Sequence, residues 1–379
     1  MRTVFDIKID FKKSQGSFLF DKITNKRYLD LFSMFSSLPL GYNHPVFDSS
    51  FDEEIRHPSH LRMSNNLYIS EEFLEFEKKF SGISFHKNLH FCSTGALAVE
   101  SAIKCAYEYS KKPNSIVVSA KNGYHGINSW GFATDRELSS VKSRMEFFPE
   151  NNWVSLGINE IPEYISKNHR NISAVIIEPI QCTAGDIYLS EEILLEIQSQ
   201  CHIYDVCFIV DEIQTGFGST GEVWYSNALN LSPDIIVFGK KAQICGLMAS
   251  EKYSAAIHSS VRKLQFTFDG DLIDAIRCKY VIKAFEEYSI FDNVNRKSIL
   301  LEQMLNKNVL NYRQKGFLIA FDFLDRKQRD LFVKESFDRG ILLNPTGERS
   351  VRVRPNLAFS DDDLDFLDHE ISKIFSRVL

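Results

Sequence analysis

The stretch VCFIVDEIQTGFGSTGEVWYSNALNLSPDIIVFGK, residues 206–240, decides the fold that we expect for this chain. It contains two apolar runs of strand length, and the segment between them is long enough for one crossover connection. The first run ends at Asp211 and Glu212, and the second ends at Gly239 and Lys240. Because the carboxyl ends of parallel strands meet at one edge of a sheet, we expect an acid and a lysine near the same edge.

Strand and helix patterns alternate on the amino-terminal side of this stretch as well. Such alternation predicts an α/β fold with a mostly parallel sheet wrapped by helices. The predicted elements are a helix over residues 94–109 with Ser93 or Thr94 as its cap, strands over 115–120 and 173–180, and a helix over 190–204 with Ser190 as its cap.

The two ends of the chain have a different texture. Their predicted elements are a hairpin over 16–30 with Thr24 and Asn25 near its turn, a long helical stretch over 271–305, a strand over 316–323 that alternates like an antiparallel strand, an extended piece over 351–356 and an amphipathic helix over 361–379. We therefore expect a small α+β domain built from residues 1–50 and 271–379, and a large α/β domain built from residues 51–270.

Composition excludes several classes of function. The 379 residues carry a net charge of −6, which favours neither nucleic acid nor an anionic membrane surface as a partner. The apolar runs are too short for a membrane span, and the start MRTVFDIKIDFKK lacks the apolar core of a signal peptide. The seven cysteines form no Cys-x-x-Cys pair, and the ten histidines lack ligand-like spacing. These features predict a cytoplasmic protein with no bound metal.

Asp211 and Lys240 are weak signals when each is taken alone. An acid after a strand is usually a turn residue, and a loop lysine is usually solvated. Together on consecutive strand ends, they match what pyridoxal phosphate requires. A lysine forms the imine with this cofactor, and an acid keeps its pyridine nitrogen protonated so that the ring accepts electrons.

The residues from Val210 to Ser250, VDEIQTGFGSTGEVWYSNALNLSPDIIVFGKKAQICGLMAS, resemble the class III aminotransferases. The resemblance is closest to the lysine 6-aminotransferases, also called lysine ε-aminotransferases. It extends to five further motifs in the same order: Gly41-YNHP, Phe91-CSTGALAVESAIKCAYEY, Asn122-GYHG, Ile177-EPIQ and Val351-RVRPNL. It implies the fold type I architecture, whose large domain has a seven-stranded, mostly parallel sheet, together with pyridoxal 5'-phosphate as cofactor and a homodimeric assembly.

The resemblance also implies roles for single residues in binding the cofactor. Lys240, and not its neighbour Lys241, aligns with the lysine that forms the Schiff base. The other implied contacts are the backbone of Gly95 and Ala96 with the phosphate, Tyr124 with the face of the ring, Asp211 with the ring nitrogen, Gln214 with the ring hydroxyl, and Thr267 with the phosphate of the partner subunit. A capped helix start at Gly95 and a core position for Tyr124 are the simpler alternatives.

Three positions concern the substrate. Arg352 aligns with an arginine that binds a substrate carboxylate in a planar, two-point contact. Ile127 stands where the lysine 6-aminotransferases have an arginine for the distal carboxylate, and Thr183 stands where they have a glutamate that gates the other arginine. Because both members of this polar pair are replaced, we expect the difference to affect the substrate and not the type of reaction.

The function expected from the sequence is a pyridoxal-phosphate-dependent aminotransferase. It would move a terminal amino group from an amine or an amino acid such as L-lysine to 2-oxoglutarate, through a Schiff base on Lys240. An aminomutase or a racemase on the same scaffold would keep Lys240 and Asp211 but would need no keto acid. A non-catalytic homologue that binds the cofactor is the third possibility.

Overall fold

The computed structural model describes residues 5–65, 67–112, 114–127, 134–135, 137, 153–259 and 263–378. The chain divides into two compact units. The first contains Met1–Ser50, Gly218–Gly221 and Lys283–Leu379, and the second contains Phe51–Phe217 and Glu222–Ile282. The domain boundaries at residues 50 and 271 that we expected from the sequence remain a prediction.

The strands are short and are distributed over both units. They are β1 (Phe18–Phe20), β2 (Arg27–Asp30), β3 (Asn88–Cys92), β4 (Ile116–Ala120), β5 (Trp153–Leu156), β6 (Ile172–Ile177), β7 (Ile180–Gln181), β8 (Ile187–Tyr188), β9 (Cys207–Asp211), β10 (Ile235–Phe238), β11 (Cys245–Ala249), β12 (Leu310–Lys315), β13 (Leu318–Asp322), β14 (Ile341–Leu342), β15 (Asn344–Thr346) and β16 (Ser350–Val353).

The helices of the described residues range from one turn to five turns. They are α1 (Ser49–Ile55), α2 (Glu71–Ile83), α3 (Gly95–Ser110), α4 (Ile161–Asn168), α5 (Glu191–Ile203), α6 (Tyr225–Ala228), α7 (Ser254–Ile257), α8 (Leu272–Glu287), α9 (Ile290–Leu305), α10 (Arg326–Asp338) and α11 (Asp361–Val378). Among the residues that the structure describes, no helix is both long and apolar enough to cross a membrane. The cytoplasmic location remains a prediction.

The second unit is built on a seven-stranded sheet in the order β3-β11-β10-β9-β6-β4-β5. The pairs β10–β9, β9–β6, β6–β4 and β4–β5 are parallel, whereas β11 runs antiparallel to both of its neighbours. The mostly parallel α/β sheet expected from the sequence is therefore confirmed. In the register of β9 and β10, Asp211 lies beside Val237, so the two strands end at the same edge.

Helix α3 begins and packs as its sequence predicts. Thr94 is the cap, since its side-chain oxygen accepts a hydrogen bond of 3.2 Å from the backbone N–H of Leu97. The face with Val99, Ala102 and Ile103 is buried against the sheet. This burial supplies the apolar contact that holds the start of α3 in place at the sheet edge.

The first unit contains two smaller sheets. The hairpin of β1 and β2 is present, and β14 pairs with β2 in parallel. The second sheet is antiparallel with the order β12-β13-β16-β15. The antiparallel strand expected over residues 316–323 is confirmed as β13, although β13 is buried at all five positions and does not alternate between buried and exposed residues.

The long helical stretch expected over residues 271–305 is confirmed except for one break, because two consecutive helices occupy it. Helix α8 ends at Glu287 and α9 begins at Ile290. Ser289 between them has a φ of 47°, which is the left-handed region and cannot continue a right-handed helix. The helix is interrupted here although neither glycine nor proline is present between Glu287 and Ile290.

Candidate active site

A cavity of about 580 Å³ lies at the carboxyl ends of β9 and β10, beside the first turn of α3. All of its lining residues belong to the second unit. The structure brings together in its wall seven of the residues singled out from the sequence, namely Gly95, Ala96, Tyr124, Ile127, Asp211, Gln214 and Lys240. In sheets of this kind, ligands bind beyond the carboxyl ends of the strands.

Lys240 lies in the short connection between β10 and β11. Its φ of 49° places it in the left-handed region, which residues other than glycine rarely adopt and which is often found at functional sites. The turn is closed by a hydrogen bond of 2.8 Å from the N–H of Gln243 to the carbonyl oxygen of Lys240. Lys240 lines the cavity, whereas the side chain of Lys241 is only 2% exposed and is not part of the cavity wall.

Asp211 is held at the end of β9 by two contacts. Its Oδ2 lies 2.8 Å from Nδ1 of His125, and its Oδ1 accepts a hydrogen bond of 3.1 Å from the N–H of Ile213. Both side chains are buried. The carboxylate is therefore oriented toward the cavity by groups that themselves have little freedom to move.

His125 is a site residue to which sequence reasoning gave no role. Its Nε2 is buried and has no hydrogen-bond partner among the described residues. The sequence feature that could have indicated a role for His125 is its position in the motif Asn122-GYHG, next to Tyr124. The pairing with Asp211 could not be inferred from spacing, because it joins the loop after β4 to the end of β9.

Glu178 is a second residue that the sequence reasoning left without a role, although it was part of the motif Ile177-EPIQ. It follows β6 and lines the cavity, and its Oε1 accepts a hydrogen bond of 2.8 Å from the N–H of Tyr124. Burial raises the pKa of the Glu178 carboxyl well above its usual range, and the charge of Asp211 raises it further. Glu178 thereby ties the loop that carries Tyr124 to the end of the sheet.

The first turn of α3 forms another part of the wall. The backbone N–H groups at the start of a helix have no acceptor within the helix, so they attract an anion. Helix α3 carries no acidic residue in its first turn, whereas α2 and α5 each begin with two glutamates. A side chain added at Gly95 would place its Cβ 2.7 Å from Cδ1 of Ile213, so glycine keeps this approach open.

The remaining three residues singled out from the sequence do not line this cavity. Thr183 is half-buried beside Ala184, which packs with Tyr124 and Ile127. Thr267 is exposed in the segment that precedes α8.

Arg352 belongs to the first unit, where it lies on β16 opposite Ala320 of β13. Its neighbour Arg354 is only 1% exposed, and its Nη1 donates hydrogen bonds to the carbonyl oxygens of Ile319 and Val353. Arg354 thus has a structural task in its own unit, and Arg352 is buried there as well, at 8% exposure. The choice of Arg352 over Arg354 as a ligand contact therefore remains a prediction from the sequence.

Comparison with known proteins identifies the family. The model of the family "Aminotransferase class-III" matches residues 2–375. L-lysine-epsilon aminotransferase from Mycobacterium tuberculosis is 27% identical over 95% of this chain and 90% of its own length. The enzyme of the same name from Streptomyces clavuligerus is 29% identical over 95% of this chain and 89% of its own length. The solved structure of lysine aminotransferase from M. tuberculosis in the internal aldimine form has a TM-score of 0.91 at 26% identity, covering 100% of this chain and 97% of that chain.

Class III aminotransferases use pyridoxal phosphate, and the described residues fit this cofactor. The acid-free first turn of α3 suits its phosphate, the buried carboxylate of Asp211 suits its pyridine nitrogen, and the amine of Lys240 suits its aldehyde. All three groups face one cavity of sufficient size. The fold, the cavity and the match over nearly the whole sequence lead to one conclusion: the chain belongs to the class III aminotransferases.

Proposed function

We propose that this enzyme moves an amino group from an amine or an amino acid to 2-oxoglutarate, with Lys240 as the residue that carries the cofactor. L-lysine is the reference donor, because the lysine ε-aminotransferases are among its relatives. The observation that carries the proposal is the placement of Lys240 and Asp211 on the ends of adjacent strands, in the wall of one cavity.

The bound cofactor supplies an aldehyde that condenses with amines and a ring that accepts the electrons of a broken C–H bond. Lys240 has two tasks in this chemistry. Its amine would hold the cofactor between turnovers, and when the amine is free it would accept the proton from the donor carbon and pass it on. A lysine in the short turn after β10 is suited to both tasks, since only its flexible side chain needs to move.

Asp211 keeps the ring nitrogen protonated in this proposal. The contact with His125 fixes one of its oxygens, and the N–H of Ile213 fixes the other. Tyr124 would support the face of the ring, and Gln214 would bind the ring hydroxyl, since both residues line the cavity. The backbone N–H groups of Gly95 and Ala96 bind the phosphate at the start of α3.

Arg352 is proposed to bind the substrate carboxylate that lies next to the reacting carbon, as in 2-oxoglutarate, through its planar guanidinium group. In the lysine 6-aminotransferases, a glutamate at the position of Thr183 pairs with this arginine. Because Thr183 carries no charge, Arg352 would bind a carboxylate without first breaking an ion pair with this position. Ile127 stands where the lysine 6-aminotransferases have an arginine. Both replacements change which substrates bind without removing a group that the proton transfer needs.

A homodimer is proposed in which Thr267 reaches the phosphate of the partner subunit. Several apolar side chains of the second unit are exposed near this segment, which is common where a subunit interface forms. They are Leu61 at 64%, Leu67 at 59%, Tyr68 at 70%, Ile69 at 83% and Phe268 at 38% exposure. The guanidinium of Arg62 lies 4.5 Å above the ring of Phe268, which joins the segment around Leu61 to the segment that carries Thr267.

The test is a spectroscopic donor screen on purified protein loaded with pyridoxal phosphate. A yellow chromophore that bleaches with an amino donor and recovers with 2-oxoglutarate supports the proposal. Product formation without any keto acid would instead indicate an aminomutase or a racemase. A protein that binds no pyridoxal phosphate, or whose chromophore ignores every donor, would be a non-catalytic homologue.

A further inference from the structure

We propose that the cavity selects amino donors whose distal end is uncharged, and that Ile127 is the residue that determines this specificity. The inference rests on the proposed aminotransferase activity and narrows its donor class. It favours primary amines with an aliphatic tail over donors of the same length that end in a carboxylate.

The wall beyond Tyr124 is apolar. Ile127 lines the cavity and packs in one cluster with Tyr124 and Ala184. Leu97 and Ile213 contribute further apolar surface to the same cavity. A donor that extends along this wall exchanges water for hydrocarbon, which stabilises an aliphatic tail in proportion to the area that is buried.

The charges in the cavity oppose a distal carboxylate. Among the described residues that line it, Lys240 is the one lysine or arginine, and its amine is committed to the cofactor and to proton transfer. Glu178 and Asp211 are the acids of the wall, and Asp211 would repel an added carboxylate. The sequence contains no lysine or arginine between Lys121 and Arg136, so the residues that directly flank Ile127 bring no cation with them.

A carboxylate placed against Ile127 would therefore lose much of its hydration and gain no opposite charge from the described residues that line the cavity. The same applies to the distal carboxylate of 2-oxoglutarate, which would therefore be a weaker acceptor than a keto acid with a single carboxylate. Buried charges without a partner are strongly disfavoured in proteins. An aliphatic tail of the same length without the carboxylate has no charge to desolvate when it leaves water. The inference therefore predicts a difference in rate constant between two such donors. This difference can be measured in the donor half-reaction, where no keto acid is involved.

The experiment compares hexylamine with 6-aminohexanoate, which has the same reacting amine and the same number of carbon atoms but ends in a carboxylate. Bleaching of the chromophore of the loaded enzyme is followed by stopped flow under single-turnover conditions. We expect the second-order rate constant to be about 100-fold larger for hexylamine. L-lysine, whose distal carbon carries a carboxylate and an ammonium group, is expected to react more slowly than hexylamine as well.

Two variants test the role of Ile127 itself. Ile127→Arg is expected to raise the rate constant for 6-aminohexanoate at least tenfold and to lower that for hexylamine. Ile127→Leu keeps the volume and the apolar character, so it is expected to keep the preference of the natural enzyme. The natural enzyme provides the primary comparison, so the proposal is tested even if Ile127→Arg does not fold.

Equal rate constants for the two donors in the natural enzyme, or a faster reaction of 6-aminohexanoate, would overturn the inference and leave the aminotransferase proposal intact. An unchanged ratio in a folded Ile127→Arg variant would show that Ile127 does not determine the preference. A chromophore that responds to no donor at all would overturn the proposed function, and the inference with it.

Discussion

The substitution Ala96→Asp separates the proposed phosphate site from the stability of the helix that forms it. Ala96 lies in the first turn of α3, which carries no acidic residue. A carboxylate there interacts favourably with the helix dipole and stabilises the cofactor-free protein by about 0.3–1 kcal/mol. For a domain of this size, that corresponds to an increase of about 1–2 °C in the midpoint of thermal unfolding.

Binding of pyridoxal phosphate is expected to change in the opposite direction. Two unit charges 4 Å apart repel each other by about 4 kcal/mol at an effective dielectric constant of about 20. The phosphate carries at least one full negative charge, so the dissociation constant should rise roughly a thousandfold. The assay is a titration of the cofactor-free protein with pyridoxal phosphate, followed by absorbance, beside a thermal unfolding curve without the cofactor.

Ala96→Asn is the matched control, since it adds a side chain of nearly the same size without the charge. We expect it to weaken binding far less than Ala96→Asp does. Equal dissociation constants for the two variants would refute the reasoning, because they would mean that no anion binds at the start of α3.

Three further predictions concern the lysine pair, the buried glutamate and the packing of the sheet. Lys240→Ala should abolish turnover, whereas Lys241→Ala should keep the yellow chromophore and much of the activity; the reverse result in a steady-state assay would reassign the cofactor lysine. Glu178→Gln should flatten the pH dependence of stability in the cofactor-free protein. Because burial and then Asp211 raise the folded-state pKa of Glu178, the natural protein should lose stability as the pH rises above about 4.5, which urea unfolding at several pH values would reveal. Gly246→Ala should cost about 3 kcal/mol, since its Cβ would collide with a carbonyl oxygen of β3 and lie 2.8 Å from Cζ of Phe238; an unfolding midpoint equal to that of the natural protein would contradict this packing.

Local patterns predicted much of the sheet and its helices. Thr94 followed by a periodic apolar face was sufficient for α3, and the runs that end at Asp211 and Lys240 were sufficient for two adjacent parallel strands. These features depend on neighbours in the sequence, so they can be read from it. The break at Ser289 depends instead on a backbone conformation that serine rarely adopts, so the residue types around it do not predict the break.

The candidate site was predicted less completely than the fold. Lys240 and Asp211 were found because each follows an apolar run. His125 and Glu178 were missed because their contacts, with Asp211 and with the backbone of Tyr124, join segments that are far apart in the sequence. Side-chain pairing across several strand ends is determined by the three-dimensional arrangement of the strands, so it cannot be predicted from the periodicity and spacing of residues.

The antiparallel course of β11 has a consequence for how much the connection around Lys240 can vary. The sheet fixes the chain directly before Gly239 and again from Cys245 onward, because β10 and β11 pair with each other. A crossover between parallel strands could absorb extra residues in its helix or loops, but this tight return cannot. An insertion here would either shift the register of β11 or lift the lysine away from the sheet edge. We therefore expect length differences among related chains to accumulate elsewhere and to spare the connection Gly239–Ile244.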